Sequence, residues 1–214
     1  MKNIFFDLDG TLTDPAQGIT NSVAYALSKF GIEVADRSEL YRFIGPPLVP
    51  AFMEYYGFSK EDAERALVLY REYFAPTGIF ENAVIEGIPE MLSALKASGK
   101  RLFVATSKPE EFAKRILEHF ALDGYFDGIY GSTMDETRNT KDAVIAYALI
   151  ESGADKDDTV MVGDRHHDID GAKKNAMRSV GVLFGYGSRE ELTQAGADAI
   201  VETVDELQQI LIGE

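Results

Sequence analysis

The run Ile4-Phe5-Phe6, followed at once by Asp7-Leu8-Asp9-Gly10-Thr11, constrains this chain more than any other stretch. It describes a short apolar strand that ends in two carboxylates. Side chains along a strand alternate between faces, so Asp7 and Asp9 start on one side and Leu8 on the other. In an open α/β sheet, ligands bind in the crevice outside the carboxyl ends of the strands. Two acids at that place suit a nucleophile or metal ligand paired with a proton donor. An Asp-Gly turn closing an ordinary strand has the same local spelling, because both residues favour turns for purely local reasons.

The pattern of an apolar run ending in a reactive polar group occurs twice more. Arg101-Leu102-Phe103-Val104-Ala105 runs into Thr106-Ser107, and Thr159-Val160-Met161-Val162-Gly163 runs into Asp164, with Asp168 four residues on. Short, β-rich apolar runs separated by helical patterns read as βα units of a parallel sheet, whose strands are buried on both faces. Such a sheet gathers Asp7, Asp9, Thr106, Asp164 and Asp168 along one edge. The expected fold class is therefore α/β, a doubly wound, Rossmann-like parallel sheet.

With these residues in place, the chain resembles a haloacid dehalogenase superfamily hydrolase of the phosphoglycolate-phosphatase-like branch. The likeness spans nearly the whole chain. Asp7 to Asp14 matches the first motif of that superfamily, Thr106 the second, Lys141 the third, and Gly163-Asp164-Arg165-His166-His167-Asp168 the fourth, in order and at similar spacing. One departure is Ser107, where the superfamily commonly has Asn. The resemblance implies a phosphomonoesterase acting on a small phosphorylated metabolite, phosphoglycolate-like or a nucleoside monophosphate. It assigns Asp7 as nucleophile, forming an aspartyl-phosphate, and Asp9 as the acid and base that serves each half-reaction. It assigns Mg²⁺ to Asp7, Asp164 and the backbone carbonyl of Asp9, with Asp168 supporting that set. Thr106, Ser107 and Lys141 fall to the substrate's phosphoryl group.

A charge count bears on Lys141. Asp7, Asp164 and Asp168 carry three negative charges, and a phosphate monoester adds about two near neutral pH. Mg²⁺ and Lys141 together offset three of those five. A lysine in the first turn of the helix expected over Asp142 to Ile150 is badly placed for the helix dipole, which weakens the reading of Lys141 as a plain solvated residue.

Composition excludes several other classes. The 214 residues are 45% hydrophobic and 27% charged, enough for a sizeable core. No run approaches the ~20 apolar residues of a membrane span, and the chain enters a strand pattern at its first residues, so neither a membrane segment nor a signal peptide is expected. Zero Cys removes disulfides, thiolate nucleophiles and Cys-ligated zinc, which fits a cytoplasmic location. A net charge of −15 argues against nucleic acid and anionic lipid as partners. Monomer and homodimer are both open.

From Pro15 to about Ala83 the pattern turns helical. Ile19, Val23, Leu27 and Phe30 share one face, with Asp14 as expected cap and Pro15 in the first turn. Gly45-Pro46-Pro47 breaks the next helical pattern, and Ser59-Lys60-Glu61-Asp62 resembles a capping box. The expected organisation is a catalytic core of residues 1–14 and 84–214 with a helical cap of residues 15–83. His119 reads as a helix-end residue, His166 and His167 as loop lining. Gly185-Tyr186-Gly187 resembles a loop of this branch and equally reads as a simple turn before a helix opening at Ser188.

Two rivals share much of this pattern. A phosphomutase of the same superfamily has the same core residues and differs in returning the phosphoryl group. A phosphorylation-controlled receiver module also combines an acidic pair, a phosphorylated Asp, a Thr and a Lys, but its nucleophile sits on a later strand than the first.

Overall fold

The computed structural model describes residues 1–135 and 137–213. It divides into two compact units, Met1–Asp14 with Val84–Glu214, and Pro15–Ala83.

In the first unit six strands form one sheet: β1 (Asn3–Phe6), β2 (Arg101–Pro109), β3 (Gly128–Ser132), β4 (Thr159–Gly163), β5 (Arg178–Val182) and β6 (Ala199–Val201). Their order is β3-β2-β1-β4-β5-β6, and every pairing is parallel. This is the doubly wound arrangement. Strand order reverses between β1 and β4, and that switch point opens the crevice in which such sheets bind ligands. Asp7 follows β1 and Asp164 follows β4, so the two acids flank the switch point. The Asp7 N–H donates to the Val162 carbonyl at 2.9 Å, which extends the pairing by one residue into the acidic segment.

The apolar runs form strands because both sheet faces are covered. All four residues of β1 are buried. On one face Phe5, Phe103 and Met161 pack with Val144, Ile145 and Ala148 of a helix at Lys141–Ser152 and Ala172 of a helix at His166–Lys174. Phe5 meets Phe103 edge-on at 5.3 Å, a favourable aromatic geometry.

The second unit holds helices at Ala16–Ser28, Leu48–Tyr56 and Lys60–Phe74, with a 3₁₀ segment at Arg37–Phe43. Ser59 caps the third helix by accepting from the Asp62 N–H at 3.1 Å, as the capping-box pattern suggests. Asp14 does not cap the first. It lies in a two-residue strand, Thr13–Asp14, its carboxylate accepts from the Tyr186 hydroxyl, and Pro15 takes the cap position without a side-chain hydrogen bond. Among the described residues no helix is long and apolar enough to cross a membrane.

Because Phe5 is fully buried at the middle of the sheet, Phe5→Ala should cost about 3–5 kcal/mol, the usual range for truncating a core aromatic. Chemical denaturation reads this directly. A loss under about 1 kcal/mol would mean that the sheet is not organised around that side chain.

Candidate active site

Four carboxyl groups and two ammonium groups are buried together at the sheet's carboxyl edge. Asp7, Asp9, Asp164 and Asp168 are 0–7% exposed, and Lys108 and Lys141 are 8% and 6%. Residues of these types are almost never buried unless paired.

Lys141 binds the centre of the cluster. It opens its helix, with Thr140 at the cap position, and its Nζ lies 2.6 Å from Asp7 Oδ1, 2.8 Å from Asp168 Oδ1 and 3.1 Å from the Ala105 carbonyl. Burial lowers its proton affinity, but Asp168 and Asp7 more than restore it, so the ammonium form is held firmly. Asp168 sits in the first turn of the His166–Lys174 helix, where its Oδ2 also accepts from the Arg165 N–H at 3.1 Å. Its Oδ1 thus sits in an ion pair and its Oδ2 accepts a backbone hydrogen bond.

Asp164 is held by glycines. The Tyr186 N–H donates to its Oδ2 at 2.7 Å, while Oδ1 is buried with no hydrogen-bond partner. Gly10 has φ +81, and a Cβ there would fall 2.3 Å from Asp164 Oδ2; a Cβ on Gly187 would fall 1.8 Å from the Asp164 carbonyl oxygen. Only glycine permits that approach. Gly185-Tyr186-Gly187 is therefore part of the site's wall, more than a turn before the helix that Ser188 caps.

Thr106 is buried, and its hydroxyl oxygen accepts from the Lys108 N–H at 3.2 Å, which leaves its own O–H to donate elsewhere. Ser107 is half-buried beside it. His166 and His167 are not loop residues; they open the helix containing Asp168. Nδ1 of His166 lies 3.2 Å from Asp170, and burial, with His166 adding to it, lowers His167 to about 4.

One ionic contact has no counterpart in the sequence reading. Lys108 Nζ lies 2.8 Å from Asp9 Oδ2. The available signal was a lysine two residues beyond Thr106, just past the apolar run Leu102–Ala105.

Electrostatically the cluster is incomplete. With all four carboxyl groups ionised, two ammonium groups leave two negative charges unbalanced, and three of the acids are shifted toward the protonated form. Burial raises Asp164 well above the usual range, with Asp168 and Asp7 adding to it. Asp168 is pushed up to about 6 by burial, against the pull of Lys141. Burial also raises Asp9, against Lys108. A divalent cation matches the deficit in sign and size. Asp7, Asp164 and Asp168 each offer an oxygen within 4.8 Å of the others, and hard carboxylate oxygens are the donors that Mg²⁺ takes.

Residues 4–182 match a sequence model of the haloacid dehalogenase-like hydrolases. The chain belongs to this family. A 5′-nucleotidase from Pseudomonas aeruginosa is 50% identical over 190 residues, covering 89% of this chain and 86% of that protein. The tyrosine-protein kinase PtkA of Mycobacterium tuberculosis is 38% identical over 210 residues, 97% of this chain and 72% of that protein. The crystal structure of a predicted phosphatase from Clostridium acetobutylicum superposes with a TM-score of 0.98 at 52% identity, covering 100% and 99% of the two chains.

Removing one member of a buried ionic set leaves the others uncompensated. Lys141→Met should therefore lose about 3–5 kcal/mol of metal-free stability at pH 7.5. The loss should shrink at pH 5. An acid with raised folded-state affinity binds more protons folded than unfolded, so the cost of Asp168 to stability grows as pH rises through about 4 to 6 and is relieved below it, and Asp164 is shifted in the same direction. Denaturation in chelator at both pH values checks this; equal losses at both would contradict it.

Proposed function

We propose that the chain is a Mg²⁺-dependent phosphomonoesterase for a small phosphorylated metabolite, working through phosphoryl transfer to Asp7. The observation that carries this reading is the pairing of Asp7 Oδ1 with Lys141 at the switch point of the sheet. It orients the carboxylate and leaves the second oxygen, Oδ2, for attack. Oδ2 forms a bond to phosphorus as the ester oxygen departs, and Asp9 gives that oxygen a proton. Water then attacks the same phosphorus, Asp9 takes its proton, and the Asp7–phosphorus bond breaks. Each half-reaction returns Asp9 to the state that the other needs.

Thr106 donates its O–H to a phosphoryl oxygen, Ser107 lies next to it for the same group, and Lys141 offsets phosphoryl charge. Asp7, Asp164 and the backbone of Asp9 would hold Mg²⁺, with Asp168 positioning Lys141. When bound, the ion supplies the two positive charges that the cluster lacks and screens the phosphate from the carboxylates. The helical unit 15–83, inserted directly after Asp14, is the segment that we assign to substrate selection, as a cap. The 50% identical relative named a 5′-nucleotidase makes nucleoside 5′-monophosphates the first substrate class to test.

The test is a panel of nucleoside 5′-monophosphates, phosphoglycolate and 4-nitrophenyl phosphate, scored by released phosphate. Mg²⁺ should be required, chelator should abolish turnover, and Asp7→Asn should lose at least ~10³-fold. Release from no ester, undiminished turnover after metal removal, or a near-normal Asp7→Asn enzyme would each overturn the proposal.

A further inference from the structure

We infer that Lys108 is a positioning residue for Asp9, clamping one carboxylate oxygen so that the other meets the leaving group. The inference rests on the proton-transfer role proposed for Asp9. Three observations support it.

The first is how the contact is divided between the two oxygens. Lys108 Nζ holds Asp9 Oδ2 at 2.8 Å, whereas Asp9 Oδ1 is buried and has no hydrogen-bond partner. A buried carboxylate oxygen without a donor is costly to maintain. Here it is the atom left to exchange a proton with a substrate oxygen.

The second is that the backbone is shaped to deliver Lys108. Thr106 pairs with Gly131 and Pro109 with Ser132, so two residues of β2, Ser107 and Lys108, have no counterpart on β3. A bulge of this kind re-aims side chains at a strand end. Gly131 makes room for it: a Cβ there would lie 2.6 Å from the Lys108 carbonyl oxygen and from the Glu110 backbone. The bulge also turns the Lys108 N–H onto the Thr106 hydroxyl, so one local distortion serves the phosphoryl contact and the acid together.

The third is stiffness. With side-chain exposures of 5% and 10%, Lys108 and Asp9 have little freedom to change rotamer, in contrast to a surface ion pair. An unclamped Asp9 could rotate about its last torsion and present neither oxygen to the leaving group. Proton transfer depends on hydrogen-bond reach, so such misplacement weakens that step alone.

The experiment is single-turnover release of the alcohol or phenol. It uses Lys108→Met, Lys108→Gln and Asp9→Asn, each in the whole Mg²⁺-loaded enzyme. The substrates are the aliphatic phosphomonoester that the wild type turns over fastest in the panel above, and 4-nitrophenyl phosphate. An alkoxide needs a proton to leave; nitrophenolate leaves almost unaided. Both Lys108 variants should slow the aliphatic ester by at least about tenfold and nitrophenol release by far less, the latter also showing that the variants are folded. The double variant Lys108→Met/Asp9→Asn should be no slower than Asp9→Asn, because residues acting as a unit are not additive. Equal losses on both substrates would overturn the inference and make Lys108 a phosphoryl or purely structural residue. A raised KM with an unchanged limiting rate would overturn it in favour of direct substrate binding. If Asp9→Asn discriminates between leaving groups and the Lys108 variants do not, the Lys108 role alone fails; if Asp9→Asn itself does not discriminate, the proton-donor role of Asp9 fails with it.

Discussion

Burying four carboxyl groups beside only two ammonium groups is the constraint on which the rest of this structure depends. Taking charges out of water costs more than their mutual attraction returns unless every one is matched. At Asp164 and Asp168 burial is the dominant influence and both acids are displaced upward, and at Asp168 desolvation outweighs the attraction of Lys141. The cluster is therefore not there to stabilise the fold. It is held in place by the apolar sheet beneath it, where Phe5, Phe103 and Met161 supply the packing that tolerates such a site.

The neighbouring backbone follows from the same constraint. Asp164 needs donors but no bulk around it, which accounts for Gly10, Gly185 and Gly187 at distances where a Cβ would collide. Asp168 needs a fixed direction, which it obtains from the Arg165 N–H at the start of a helix. Lys108, which pairs with Asp9, lies in the bulge of β2 beside Gly131. Each feature is a local irregularity that a regular strand or helix would not provide.

This explains what could be read from the sequence. The parallel sheet was legible because its strands are buried on both faces and so spelled as continuous apolar runs. The acids and Thr106 were legible because they stand where those runs stop. Lys108 was not, because a bulge is a mismatch between two strands and leaves no periodic trace in either. The Gly185–Gly187 wall was only half legible: glycines signal a turn, but what the turn approaches lies some twenty residues upstream at Asp164. Asp14 misled for another reason. An acid before Pro15 spells a helix cap, yet its carboxylate accepts from Tyr186, a partner 172 residues away.

The central claim is that this cluster exists to let Asp7 accept a phosphoryl group. It is tested most directly by mixing Mg²⁺-loaded enzyme with 4-nitrophenyl phosphate, quenching in acid within milliseconds, and mapping the added phosphoryl mass by peptide mass spectrometry. The account predicts a transient acyl phosphate on Asp7 that forms with the nitrophenol burst, decays as phosphate appears, and is absent in Asp7→Asn. Turnover with no phosphoryl group on the protein at any time, or one attached to a different residue, would contradict it.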